Sequence, residues 1–415
     1  MLIDNIETKP MTRTTKKSKF LIILMLGLLS AIGPFSIDMY LPGFKAIAID
    51  LKTNIEQIQL SLTSFFIGIA SGQMIYGPLL DRYGRKTPLI IGLLIYIGAS
   101  IGCVFIQSAD GLILLRFIQA LGSCGGMVAS RALVRDYFPA SETAKIFSML
   151  MLVIGVSPIL APTMGGYIID IWGWHYIFVF LTVLTTLILL GVIFILPKSE
   201  PDPTLSLMPT PIVKGFMSVF KNRQFLIYSV AGGTASSGLY AYLSGSPFVM
   251  MEIYGLNEKQ YGWTFALIAG GLIASSQVNN LVLKKFNSGD IAKKALMIQA
   301  LAGLVMLILA LIHLLNLYWI IFLIFCFLAC QGFVFPNTSA LALNPFTKSA
   351  GSASALLGSI QLSIGAIASI LVSILHNNTN IPMVGIMATC AIVSYLILLF
   401  APQKVDEPID EPIII

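Results

Sequence analysis

The chain has 415 residues, of which 57% are hydrophobic and only 11% are charged, and its formal net charge is +6. Soluble domains carry about 25% charged residues, so this sequence lacks the charged surface that a soluble fold of its length needs. The composition excludes a soluble protein and predicts a chain that crosses a membrane many times.

Twelve apolar runs have the length of about 20 residues that spans a hydrocarbon core about 30 Å thick. The short alternating strands of a membrane barrel do not occur, so the runs predict helices. The predicted fold class is therefore an all-α membrane protein with twelve transmembrane helices. The runs cover residues 20–42, 57–79, 88–107, 110–131, 144–168, 174–196, 224–248, 260–283, 294–314, 317–340, 350–375 and 381–401.

The basic residues are distributed unevenly between the two sides that these twelve helices define. Twenty-one lysines and arginines fall in the tails and on one side, whereas Lys45, Lys52 and Lys259 fall on the other. By the positive-inside rule, the basic side is cytoplasmic. This distribution predicts a multi-pass protein of the cytoplasmic (inner) membrane with both termini in the cytoplasm. The positive charge accordingly indicates topology and no nucleic-acid partner.

The order of apolar and polar segments divides the chain into two halves. Pro42 and Pro247 end the first helix of each half and are 205 residues apart, while Arg82 and Lys285 follow the second helix of each half and are 203 apart. Paired interruptions of this kind indicate an internal repeat with a transporter binding site between its halves. The predicted divisions are a cytoplasmic tail 1–19, a six-helix bundle 20–196, a cytoplasmic linker 197–222, a six-helix bundle 223–402 and a disordered cytoplasmic tail 403–415.

Two ionisable side chains lie well inside predicted helices. Asp38, in the stretch FSIDMYLPGF, is about four residues from the outer end of helix 1, and Arg116 is about six from the outer end of helix 4. At about 1.5 Å per residue, the two lie at the same depth within one turn. Ionisable residues inside a membrane mark ion pathways by default. We expect the two to interact if helices 1 and 4 are neighbours, with Asp38 exchanging protons and Arg116 tuning it; a structural ion pair or a helix cap remains the alternative.

Aromatic and small polar side chains of helices 1, 7 and 11 are the candidates for a substrate cavity. A mostly apolar pocket with few polar groups suits varied amphiphilic ligands, although each side chain alone is equally compatible with core packing. The candidates are Tyr40, Tyr240, Tyr242, Ser244, Phe248 and Gln361. The five cysteines all lie in apolar runs and behave as small apolar residues there, so we predict neither a structural disulfide nor a metal site.

The loop between helices 2 and 3, GPLLDRYGRK, resembles the signature loop of the major facilitator superfamily. It carries the ordered set Gly77, Asp81, Arg82, Gly84, Arg85 and Lys86. Gly84 permits a tight reversal between helices, and Asp81 can meet the positive end of a helix dipole. We expect an inner gate in which Arg82 or Arg85 pairs with Asp136 and Asp81 faces the start of helix 11 near Ser349.

Further motifs are similar to those of drug:proton antiporters in this superfamily. LLRFIQALG places Arg116 and Gln119 as in the R-x-x-Q pattern of helix 4, and the resemblance makes Gln119 a further substrate-binding candidate. SIDMYLP and SRALVRDYF resemble the bicyclomycin-resistance (Bcr/CflA) branch. Helix 5, GVSPILAPTMGGYI, resembles the antiporter motif, with Ala161 where a glycine is usual. Its matching residues are Gly155, Pro158, Pro162, Gly165 and Gly166.

This resemblance covers the whole transmembrane chain and implies two six-helix bundles with pseudo-twofold symmetry. It implies a monomeric exporter of small amphiphilic drugs that uses the proton gradient and no cofactor. Its expected partners are a small-molecule substrate, protons and membrane lipid. The same architecture serving an endogenous metabolite or a siderophore is the first alternative. A polytopic membrane enzyme is a weaker one, because the sequence has no clustered acid, histidine or metal constellation near one membrane face.

Overall fold

The computed structural model describes residues 16–138, 140–196, 216–346 and 350–399. Twelve long helices make up most of this part of the chain, so the all-α prediction is confirmed. In chain order they are α1 Lys16–Asp38, α2 Ile55–Tyr83, α3 Lys86–Val104, α4 Ala109–Tyr137, α5 Ala140–Trp172, α6 His175–Phe194, α7 Arg223–Pro247, α8 Glu258–Val282, α9 Ser288–Leu311, α10 Leu317–Leu343, α11 Ala350–Ile374 and α12 Ile381–Leu399.

Polar residues fix the starts of several of these helices. In each case a side-chain oxygen accepts a hydrogen bond from a backbone N–H of the first turn, which would otherwise have no partner. Five helices begin in this way, after Asn54, Ser108, Asn222, Asn257 and Asn316. At Asn257 the side chain of Gln260 also returns a bond to the cap backbone, which completes a capping box.

Eleven of the described helices are long and apolar enough to cross a membrane. The exception among the twelve is α7, which is rich in glycine and serine but is buried along most of its length. Because protein surrounds α7, its sequence need not be as apolar as that of a lipid-facing helix. The low hydropathy of α7 therefore reflects a central position in the bundle.

The first helix ends earlier than the apolar run 20–42 predicts. α1 stops at Asp38, and Leu41–Gly43 form a tight 3₁₀ turn that leads into a short helix, Phe44–Asp50. Pro42 belongs to this turn because its ring and missing N–H do not continue a helix. The equivalent helix of the second half, α7, ends at Pro247 and continues into a wider π-type turn, Phe248–Ile253.

The helix contacts repeat between the two halves. In the first half α2 packs on α4, α3 packs on α4 and α6, and α1 packs on α4 and α5. In the second half α8 packs on α10, α9 packs on α10 and α12, and α7 packs on α10 and α11. Each contact recurs six helices later. The two main contacts between the halves are α2 with α11 and α5 with α8. The shift of six helices converts one of these two contacts into the other. Two six-helix bundles with pseudo-twofold symmetry are thus confirmed.

Parts of the predicted domain division lie outside the described residues. These are most of the amino-terminal tail 1–19, residues 197–215 of the linker and the whole carboxy-terminal tail 403–415. Within the linker, residues 216–220 are helical. The predicted boundaries remain predictions.

Candidate functional site

The membrane-spanning bundle has two opposite sides, which we call the Lys45 face and the Arg85 face. The Lys45 face contains the end of α1, the short helix Phe44–Asp50 and the loop between α7 and α8. The Arg85 face is the opposite side, with the reversal between α2 and α3. α1 runs from the Arg85 face to the Lys45 face.

Asp38, at the end of α1, is a buried acid at the junction of the two halves. Only 5% of the residue is exposed, and none of the ion pairs among the described residues includes it. Its charge reaches the phenolic hydroxyls of Tyr242 on α7 and Tyr261 on α8. The turn that follows Asp38, Leu41–Gly43, also contacts α7 and α8, so Asp38 lies close to the second half of the molecule.

Arg116 lies at the depth that the sequence predicts, but the expected interaction with Asp38 is wrong for this structure. The guanidinium is completely buried; its Nη2 donates to the carbonyl of Ser36 at 2.9 Å and its Nη1 to Oε1 of Gln119 at 2.5 Å. Arg116 thus binds the backbone of α1 at Ser36, and Asp38 is in none of its hydrogen bonds and in none of the ion pairs of the described residues.

Aromatic rings complete the surroundings of Arg116. The guanidinium carbon is 4.2 Å from the centre of the Phe65 ring and 4.6 Å from that of Tyr40. A delocalised guanidinium is well suited to such stacking. Arg116 is thus a buried cation held by a carbonyl, an amide and two rings, and its Nε has no partner.

Two of the predicted substrate-binding residues belong to this same interior of the first half. The hydroxyl of Tyr40 is 2.7 Å from the hydroxyl of Ser61, and Nε2 of Gln119 donates to Ser100 at 2.7 Å. Both Tyr40 and Gln119 are completely buried. In this conformation their polar groups are occupied inside the protein and are not presented to a ligand.

The candidates from the second half are distributed along α7 and α11. The Tyr240 ring is 4.8 Å from the Phe66 ring of α2, across the interface between the halves. Gln361 lies beside α7, and its Nε2 is buried without a hydrogen-bond partner; the same holds for the hydroxyl of Ser244. Phe248 lies at the Lys45 face, beyond the end of α7, and its ring is 4.3 Å from that of His376.

Tyr242 belongs to an aromatic cluster that includes a residue that sequence reasoning missed. Its ring stacks on Phe265 with the ring centres 5.6 Å apart. Tyr261, on the first turns of α8, is almost completely buried, and its hydroxyl is 2.9 Å from that of Ser246. A tyrosine near a helix end is a common interface anchor, so only the fold indicates that Tyr261 lies near Asp38.

The glycines of the antiporter motif let α5 approach the other helices closely. A Cβ on Gly165 would collide with the carbonyl of Met39 on the α1 side, and one on Gly166 would lie 2.6 Å from the carbonyl of Glu258 on α8. Across the same contact, a Cβ on Gly262 would lie 2.9 Å from the carbonyl of Pro162. Gly155 has looser surroundings, and Pro158, like Pro162, lies within the helix.

Among the described residues, three polar side-chain pairs join the two halves at the Lys45 face. Each has one member in each half, so together with the α5–α8 contact they close this face. The pairs are Lys45 with Glu252 at 3.1 Å, Asp170 with Lys259 at 2.8 Å and Glu56 with His376 at 3.2 Å.

The signature loop at the Arg85 face forms contacts within the first half. Arg85 pairs with Asp136, as predicted, with Nε 2.8 Å from Oδ2, and also with Asp81 in the last turn of α2. Gly84 has a φ of 77°, a conformation that favours glycine. Lys86 donates to the carbonyls of Ile193 and Leu196 at the end of α6. Gly77 has open space around it.

The second contact predicted for this gate cannot be compared, because Ser349 lies outside the described residues. Arg82 takes part in a separate interaction. Partial burial alone would lower the pKa of Arg85, but the bonds to Asp136 and Asp81 outweigh burial and raise the pKa above its usual value. The Arg85 guanidinium therefore stays charged across the physiological pH range.

Two six-helix halves that meet along a buried acid and close on one face form the architecture of a secondary transporter embedded in a membrane. The family model described as Major Facilitator Superfamily matches residues 26–370. The chain belongs to this superfamily.

Known proteins similar to the chain are also transporters or resistance proteins. The chain is 33% identical to a bicyclomycin resistance protein homolog of Haemophilus influenzae, over 94% of this chain and 98% of the relative. It is 30% identical to the multidrug resistance protein MdtL of Klebsiella pneumoniae, over 90% of this chain and 94% of the relative. The crystal structure of a D-xylose-proton symporter has the same fold, with a TM-score of 0.73, 14% identity, and coverage of 94% of this chain and 100% of that one.

Proposed function

We propose that the protein exports small amphiphilic drugs across the cytoplasmic membrane by proton antiport with alternating access. The printed names of two relatives, a bicyclomycin resistance protein homolog and a multidrug resistance protein, support the drug class. The observation that carries the proton coupling is the burial of Asp38 between the halves, without an ion pair among the described residues. In this proposal the protein is a monomer that uses no cofactor, catalyses no reaction and binds no nucleic acid.

The coupling follows from competition for one negative charge. An ionised carboxyl in an apolar bundle is costly unless a cation accompanies it. Because Arg116 is bound to other groups, the counter-charge of Asp38 must come from a proton or from a cationic ligand. Proton binding then favours drug release, and drug binding favours proton release. Arg116 holds the end of α1 through Ser36 and so positions Asp38.

The direction of transport depends on the sidedness of the membrane. We propose that the Arg85 face is cytoplasmic, because most lysines and arginines lie on that side. The state closed at the Lys45 face then corresponds to the conformation that receives drug from the cytoplasm. Opening of that face would require separation of α5 from α8 and of the three polar pairs.

Everted membrane vesicles test this function. Addition of a transported compound should release protons from an acidified vesicle interior, and Asp38→Asn should abolish this movement because an amide cannot exchange a proton. Asp110→Asn, a substitution of an exposed acid in the first turn of α4, is the matched control and should retain it.

The screen should contain cationic, neutral and anionic compounds at equal concentrations. A response to cationic compounds that Asp38→Asn removes supports the competition mechanism. A response confined to anions, or full proton movement in well-expressed Asp38→Asn protein, contradicts it. A response to one metabolite and to none of the drugs would support the alternative physiological substrate.

A further inference from the structure

A crevice at the Arg85-face ends of α8, α9 and α10 belongs to no part of the proposed transport path. Its volume is about 230 Å³, and seven of its nine lining residues are apolar. These are Val282, Phe286, Ile291, Ala295, Ile298, Cys330 and Phe333, and the other two are Asp290 and Lys294.

The crevice faces outward, towards the lipid. Phe286 and Ile298 on its rim are 52% and 51% exposed, and Leu301 farther along the same helix is 61% exposed. The lining extends from the start of α9 to Ile298, which is about 15 Å at 1.5 Å per residue. This is about half of a hydrocarbon core of roughly 30 Å. The crevice is therefore about as deep as one leaflet of the bilayer.

Four lysines lie on or next to the chain segments that form the crevice, and Lys294 is among its lining residues. Lys284 and Lys285 follow α8, and Lys293 and Lys294 lie in the first two turns of α9. The Nζ of Lys294 is 5.3 Å from the centre of the Phe286 ring, across the opening. Asp290 is the one acid that lines the crevice, and its position in the first turn of α9 suits the helix dipole. The five side chains leave a net positive charge.

The lysines differ from their counterparts in the first half. There, Arg85 is paired with two carboxylates and Lys86 binds two carbonyls. Among the ion pairs and side-chain hydrogen bonds of the described residues, none includes the ammonium group of Lys284, Lys285 or Lys294. Their ammonium groups are exposed and available to an anion.

We propose that this crevice binds an anionic phospholipid of the leaflet at the Arg85 face, with an acyl chain between α9 and α10 and the phosphate among Lys284, Lys285 and Lys294. An apolar cavity one leaflet deep fits an acyl chain, while unpaired lysines at the surface fit an anionic headgroup. A free phosphate would leave the crevice empty, and a neutral lipid would leave the lysines without a counter-charge. Only a molecule that combines both groups uses the whole site.

Native mass spectrometry of the purified full-length protein tests this proposal, with phosphatidylglycerol and phosphatidylcholine titrated separately. The wild type should bind phosphatidylglycerol at least about tenfold more tightly than phosphatidylcholine, since several lysines attract the lipid that carries a net negative charge. Lys284→Gln with Lys294→Gln should remove most of this preference. Lys52→Gln with Lys221→Gln, which changes two exposed lysines outside the site, one of them close to the Arg85 face, should retain it.

Two further experiments distinguish the contribution of the lipid headgroup from that of the acyl chain. Ala295→Phe fills the crevice and leaves the lysines in place, so it should weaken the binding of both lipids several-fold. Glycerol phosphate, the soluble headgroup, should not compete with phosphatidylglycerol at equal concentration. Equal binding of the two lipids by the wild type, an equal loss in the Lys52/Lys221 control, unchanged binding in Ala295→Phe, or competition by glycerol phosphate would each overturn the proposal. None of these measurements depends on transport.

Discussion

The surroundings of Arg116 define what this residue contributes to the protein. A buried cation without a carboxylate needs other groups to accept from most of its donors and to cover its planar face. Here the carbonyl of Ser36 and the amide of Gln119 accept hydrogen bonds, and the rings of Tyr40 and Phe65 cover the guanidinium. These contacts join α1, α2 and α4, so we expect Arg116 to act mainly on the stability of the first half.

Arg116→Lys should therefore destabilise the protein although it preserves the charge. An ammonium group cannot form the same fork of hydrogen bonds or stack on both rings, and the acceptors left unpaired would cost about 1 to 3 kcal/mol. Thermal unfolding in detergent, followed by intrinsic fluorescence, should show a lower midpoint. Arg223→Lys, at the exposed start of α7, should leave the midpoint unchanged. Equal midpoints for both variants and the wild type would contradict this account.

The same residue illustrates the limit of prediction from sequence at a single site. Counting residues along α1 and α4 predicts the common depth of Asp38 and Arg116, because the rise per residue is constant. The direction of each side chain depends on how each helix is rotated about its axis, and tertiary packing sets that rotation. For this reason the sequence predicts two buried ionisable groups but not that Asp38 lies near Tyr242 and Tyr261.

Among the helices, α5 has the most direct role in closing the Lys45 face. Its two adjacent glycines face different partners, Gly165 towards the end of α1 and Gly166 towards the start of α8. Small residues at helix interfaces let the backbones approach. The sequence motif indicates close packing of this helix, and the fold identifies the partners, because the motif itself contains no information about α8.

Gly166→Ala should weaken the closed state of the Lys45 face. The added Cβ would lie 2.6 Å from the carbonyl of Glu258, so α5 and α8 must separate, and this strain opposes a gain in helix propensity of roughly 1 kcal/mol. A cysteine placed by Thr163→Cys, beside Gly262, in a background with the five native cysteines changed to alanine, should react faster with an impermeant maleimide. Gly270→Ala on α8, where a Cβ meets open space, should leave the rate unchanged. A rate in Gly166→Ala equal to that in the control would contradict this role of α5.

For the whole molecule, composition and periodicity predict the architecture well. The number of helices, the all-α class and the repeat of six follow from the lengths of apolar runs and from paired prolines such as Pro42 and Pro247. The exact helix ends are predicted less well from apolar runs, because local features such as the cap Asn54 and the turn Leu41–Gly43 determine them. Contacts between the halves are predicted least well, since they join residues as far apart as Glu56 and His376, which are 320 positions apart.

The polar pairs at the Lys45 face are contacts of this kind, and they give a prediction for the molecule as a whole. Lys45 belongs to the first half and Glu252 to the second, and their side chains are 44% and 31% exposed. A pair exposed to this degree contributes at most about 1 kcal/mol. In an equilibrium between two conformations, 1 kcal/mol corresponds to a change of about fivefold, which a labelling rate can resolve.

Lys45→Glu and Glu252→Lys should each increase labelling of Thr163→Cys from the Lys45 face by up to about fivefold, because each places like charges across the closed interface. The double variant restores opposite charges in exchanged positions, so its rate should return towards that of the parent protein. Lys52→Glu changes an exposed lysine of the same face that is in none of the ion pairs of the described residues, and it should have little effect. Raising the ionic strength should reduce the differences, since salt screens exposed charges. A double variant that labels as fast as either single variant would show that the pair does not hold the two halves together.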